Sequence, residues 1–145
     1  MATRSYIGIK EGEHIQYIYC HWDGYIAHNG AILQKSYQNE DKIRELIGLG
    51  DLSILGSEIG EEHDFMSDDK DICTAYHRDR NEELNIETMC VRGKSFDEIC
   101  EQVLKNSWCE FFYMWDTETK RWYVGSCLDN HMLPLAEELK KIKKK

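Results

Sequence analysis

The stretch FFYMWDTETKRWYVG, residues 111–125, constrains the fold more than any other part of the chain. Two aromatic-rich runs flank a polar turn, which is the pattern of a β-hairpin. Strand alternation puts Phe111, Tyr113 and Trp115 on one face and Phe112 and Met114 on the other. A face of that kind left bare is a protein interface, and a covering helix is the readier outcome.

The rest of the chain supplies partners for such a hairpin. Tyr6, Ile7 and Ile9, then Glu11-Gly12-Glu13, then Ile15, Tyr17 and Tyr19 read as two short strands around a turn. Ala31, Ile32, Leu33 and Tyr37 follow a helical stripe, and DKIRELIGL (41–49) continues as a second short helix. GLGDLSILG reads as a loop anchored by Leu52, Ile54 and Leu55. Residues 58–71 hold seven acids against one lysine and are expected to form an exposed, mobile loop. DICTAYHRDR predicts a strand through Tyr76 or Arg78, with a partner strand around Leu84 to Val91. Ser95 with Glu98 forms a capping box for a helix whose apolar stripe is Phe96, Ile99, Cys100, Val103 and Leu104. Pro134, with Glu137 and Glu138, opens a last helix that ends in lysines. This order implies an α+β fold, a mainly antiparallel sheet with helices packed on one face, in one domain spanning 1–145.

Charge narrows the function classes. The formal net charge is −9, and five of the lysines (Lys140, Lys141, Lys143, Lys144 and Lys145) sit at the very end, so the remainder is more acidic still. Such a body repels phosphate backbones, and general nucleic-acid binding is not expected. The terminal lysines read as the positive complement to a helix dipole. The first residues, MATRSYIGIK, have no apolar core segment of a signal peptide, and no run approaches the ~18 apolar residues of a membrane span. The six cysteines fall in apolar runs without CxxC spacing, so reduced core thiols in a host-cell cytosol are expected, with no membrane association.

Two polar segments are candidates for chemistry. CHWDGYIAHNG (20–30) gathers His21, Trp22, Asp23, Tyr25, His28 and Asn29 where a strand passes into a helix. Gly24 permits a sharp turn, and Asn29-Gly30 can expose backbone N–H groups at the helix start, where anions are favoured. The spacing of His21 and His28 matches no metal motif, and neither metal nor cofactor is expected. A general-base couple of His21 or His28 with Asp23 is chemically available; Cys20 is adjacent, though on a strand it faces away from His21. The structural alternative makes Trp22 and Tyr25 core residues and Asp23 and Asn29 turn caps. In AYHRDRNEE (75–83), Arg78 and Arg80 straddle Asp79; on a strand they form a fork for phosphate or carboxylate, or else pair with internal acids. Joined with Arg4 and the 21–29 turn, they would line a pocket of cations, aromatic faces and imidazoles, suited to a nucleotide or another phosphorylated small molecule.

MATRS-x-I, YCHWDGY-x-x-HNG, GDLS-x-LG, AY-x-RDR-x-E and the WYV hairpin together resemble a family of small proteins encoded by phages, prophages and related mobile elements, over Met1 through Val124. The resemblance supplies genomic context and transfers no catalytic residue. It implies an accessory binding protein that antagonises a host or bacterial-defence component, by docking on a protein or by sequestering a phosphorylated nucleotide-like signal. The rivals are a small hydrolase of such substrates, using His21 or His28 with Asp23, and a structural or assembly protein, for which a homo-oligomer is the expected state.

Overall fold

The computed structural model describes residues 2–67, 69 and 71–143. In chain order its elements are β1 (Ser5–Glu11), β2 (His14–Cys20), a π-helical turn (Ile26–Gly30) running into α1 (Ala31–Ser36), α2 (Glu40–Gly48), β3 (Leu52–Ile54) and β4 (Thr74–Ala75). There follow α3 (Tyr76–Arg80), β5 (Glu87–Cys90), α4 (Phe96–Leu104), β6 (Phe111–Asp116), β7 (Arg121–Ser126), β8 (Leu133–Pro134) and α5 (Leu135–Lys143). The fold is α+β. One sheet runs in the order β4-β3-β2-β1-β6-β7-β8, and β5 also pairs with β2. β3 meets β2 at Cys20, whereas β5 takes the stretch from His14 to Tyr17. Most pairings among the described residues are antiparallel; β1 with β6 and β2 with β3 are parallel.

The two hairpins form as their alternation predicts, and they join through the parallel β1–β6 pairing, which sets Ser5 opposite Phe111. Gly12 turns the first hairpin at φ 57°. Asp116 turns the second, its buried carboxylate accepting from the Glu118 N–H and the Thr119 hydroxyl. On one face Ile7, Ile18, Tyr113, Trp115, Trp122 and Val124 pack against Leu33, Tyr37, Ile43, Leu46 and Leu135. The buried indoles are satisfied: Trp122 Nε1 donates to the Tyr37 carbonyl at 2.8 Å and Trp115 Nε1 to Glu40 Oε1 at 3.0 Å. Phe112, Met114 and Ile15 face the other way and are covered by Ile99, Cys100, Val103 and Leu104 of α4, with Met132. Helices α1, α2 and α5 thus share one face, and α4 lies over part of the other. Its capping box forms as expected, with Ser95 Oγ accepting from the Glu98 N–H and Glu98 accepting from the Ser95 N–H.

Three expectations are corrected. The segment read as a strand through Tyr76 or Arg78 leaves the sheet after Ala75 and becomes α3, because Asp79 reaches back to accept from the Ala75 N–H at 2.8 Å and Asn81 stops the turn at φ 54°. Its expected partner strand pairs instead with β2. Within the glycine-rich stretch read as loop, Leu52–Ile54 forms β3. In the acidic segment the described acids are exposed as expected, while its first residues are held to the body: Ile59 is buried, Glu58 and Ile72 form a bridge, and Arg78 donates to the carbonyls of Ile59 and Gly60. Asp68 and Lys70 of that segment, and Lys144 and Lys145 of the tail, lie outside the described residues. All six cysteines are free; Cys20, Cys73, Cys100 and Cys109 are buried, and Cys90 and Cys127 are exposed. Among the described residues no helix is long and apolar enough to cross a membrane.

Candidate functional site

The stretch at 20–30 is held by its own polar groups. Buried Asn29 donates to the Trp22 carbonyl and to Cys20 Sγ, both at 3.4 Å, and its Oδ1 meets His28 Nδ1 at 2.9 Å. Asp23 takes a left-handed φ of 57°, and Gly24 passes so close to the segment before β1 that a Cβ there would lie 2.8 Å from the Thr3 carbonyl oxygen. The expected anion site at Asn29-Gly30 is absent: both residues are buried, and the Asn29 N–H is spent on the Tyr25 and Asp23 carbonyls. Trp22 and Tyr25 are not core; they stand 44% and 43% exposed. Trp22, Asp23, His28 and Ile54 line a shallow cleft of about 240 Å³. Among the described residues neither His21 nor His28 has a carboxylate at ion-pair distance, so no His–Asp couple forms here. Burial pushes the Cys20 thiol up to about 12, leaving no thiolate at neutral pH.

Arg78, Asp79 and Arg80 serve the scaffold. The Asp79 side chain is fully buried and accepts from Arg78, from the Ala75 N–H and from the His63 N–H. Burial alone would raise its pKa; those bonds outweigh it and hold the carboxyl below its ordinary range. The remaining Arg78 donors go to the carbonyls of Ile59, Gly60 and Cys73. Arg80 pairs with Glu82 and lies over Phe65, 4.5 Å from the ring centroid. The expected fork on one strand face does not exist, because α3 turns the two guanidiniums to different partners. This segment lines its own cleft with His63 and His77, and β3 stands between it and the 21–29 turn.

Arg4 leads elsewhere. The pairing of β1 with β2 sets Tyr6 opposite Tyr19 and Gly8 opposite Tyr17. Gly8 makes room for the rings, since a Cβ there would lie 2.9 Å from Tyr17 Cβ and 3.3 Å from the Phe112 ring. Tyr6 consequently meets Tyr17 edge-on at 5.1 Å and Tyr19 at 6.3 Å. The end of α4 and the turn after it raise a wall of Gln102, Lys105, Asn106 and Trp108 beside this floor, with Glu87 on the opposite rim. Together they enclose an open cleft of about 470 Å³.

Arg4 stands at the Tyr19 end. Its side chain makes no hydrogen bond or ion pair to any described residue, and Nε is shut from solvent with no acceptor. Its charge reaches Tyr19 and His21. Burial first, and Arg4 second, hold the His21 imidazole below its ordinary range, so it is neutral at pH 7; its Nδ1 lies 2.7 Å from the Tyr19 hydroxyl. Burial pushes the Tyr6 and Tyr19 hydroxyls up to about 12, so both remain protonated donors.

The structure therefore divides the candidate residues. Arg4 lines the tyrosine cleft, and His21 joins it through Tyr19. Trp22, Asp23 and His28 line a neighbouring small cleft, Tyr25 lies exposed beside His28, and Asn29 is a buried clamp. Sequence reading missed Tyr6, Tyr17, Tyr19, Glu87, Lys105 and Trp108. The tyrosines looked like strand core, and only their alternation on one face across the Gly12 turn signals a shared floor. No family model matches the chain, and neither does any curated protein or solved structure.

Proposed function

We propose that this chain is a binding protein whose tyrosine cleft takes up a phosphorylated, nucleotide-like small molecule. The observation that carries the reading is Arg4: a cation without a partner among the described residues, in a chain of net charge −9, at the head of an aromatic floor. In so acidic a body a guanidinium without an internal carboxylate is poised for an external anion. The tyrosine rings offer stacking faces to a base, and the protonated hydroxyls offer donors. Taken with the resemblance to phage-encoded proteins, the reading is an accessory protein that blunts a host or defence response by sequestering its signal. A second reading, docking on a host protein, draws on Trp108 and Leu128, which stand 84% and 91% exposed.

Thermal stability against a panel of nucleotides, cyclic oligonucleotides and ADP-ribose derivatives tests the first reading. A ligand at a hundred times its Kd contributes about 2.7 kcal/mol, a shift of several degrees in a domain of this size. The shift is expected to vanish in Arg4→Ala. A flat panel overturns the small-molecule reading in favour of docking.

A further inference from the structure

Glu87 is out of place in a cleft for phosphate. It faces Tyr17 directly across the β5–β2 pairing, so the two side chains share a face, and it has no hydrogen bond or ion pair among the described residues. A bare carboxylate there repels an anionic ligand unless it is used to read donors on that ligand. Its position fits such a use. Burial first and Glu87 second raise the Tyr17 hydroxyl, whereas Arg4 acts on Tyr19 and His21 at the other end. Tyr17 and Tyr19 are two residues apart on one strand face, about 7 Å. The cleft thus carries a guanidinium at its Tyr19 end and a carboxylate at its Tyr17 end, with the rings between and Lys105 in the wall.

Resting on the reading of the cleft as a nucleotide site, we propose that it selects guanine, with Arg4 on the phosphate and Glu87 on the base edge. Guanine presents N1–H and its exocyclic amine side by side, two donors for the two oxygens of one carboxylate. Adenine presents one amine beside a lone pair on N1, which the carboxylate repels, and cytosine has the same defect. Uracil offers a single N–H between two carbonyls. A site built around a charged acceptor rejects the ligand that lacks the matching donors.

Equilibrium titration with GMP, AMP and inorganic phosphate, read by isothermal calorimetry, tests this. GMP is expected to bind about tenfold tighter than AMP or better. Glu87→Gln is expected to erase that preference by weakening GMP while leaving AMP within a few-fold, and Arg4→Gln to weaken both nucleotides alike. Equal binding of GMP and AMP, both lost in Arg4→Gln, overturns guanine selection and leaves the cleft reading intact. A preference for GMP that survives Glu87→Gln overturns the role of Glu87. Binding of none of the three probes, confirmed by unchanged stability in their presence, overturns the cleft reading together with this proposal.

Discussion

At the scale of single residues, two arginines in one acidic chain have opposite fates. Arg78 spends its donors on Asp79 and three carbonyls, whereas the Arg4 side chain has no described partner. Asp79→Asn leaves the mostly buried Arg78 without its counter-charge, and we expect a loss of about 3 kcal/mol or more in chemical denaturation at pH 7. Because the native Asp79 pKa lies below the ordinary 3.8, the unfolded chain takes up this proton at a higher pH than the folded one. That share of stability is therefore present above pH 3.8, declines as pH falls through the native value, and is missing from the Asp79→Asn profile. A variant whose acid limb matches that of the parent would sink the assignment. The RDR string is legible as charge, yet its partners are backbone carbonyls brought from residues 59–73, and no spacing rule announces those. The HNG string is legible as turn chemistry, although Asn29 and Gly30 are buried and the Asn29 N–H is spent on the Tyr25 and Asp23 carbonyls.

At the scale of elements, α4 is the part that both covers the second core and walls the cleft. Removing its cap with Ser95→Ala is expected to cost about 1 kcal/mol in thermal or denaturant unfolding. Its seat on β7 depends on a missing side chain: a Cβ at Gly125 would collide with Cys100 Sγ and lie 2.6 Å from Met132 Sδ. Gly125→Ala is expected to cost about 1–3 kcal/mol, partly recovered when Cys100→Ala is added. Failure of the double variant to recover would place the strain elsewhere. Elements with a strong period were readable from the chain: the two hairpins, α2, and α4 with its capping box. Those settled by a distant contact were not. β3 is three residues among glycines and exists because β2 and β4 flank it, and α3 overrides a strand-like string through a single carboxylate.

At the scale of the whole molecule, the thiols report on both cores at once. Cys90 and Cys127 are expected to react rapidly with an aromatic disulfide reagent, and the other four only upon unfolding. More than two fast thiols in the native protein would contradict the packing described. The cleft itself was half legible: cation, rings and imidazole were all named as ingredients, but the partner of Arg4 and His21 turned out to be the tyrosine face of the first hairpin rather than the arginines of α3. Which strands become neighbours depends on the parallel joint between β1 and β6, and no local pattern encodes that joint. It also has a consequence in time. A strand completed at the start of synthesis must wait for about a hundred further residues, some 5–20 s at ribosomal rates, before its central neighbour exists. Until then Arg4 and the Trp108 wall belong to separate stretches of nascent chain, so the binding surface is completed late, and a product cut short before Gln102 lacks its wall.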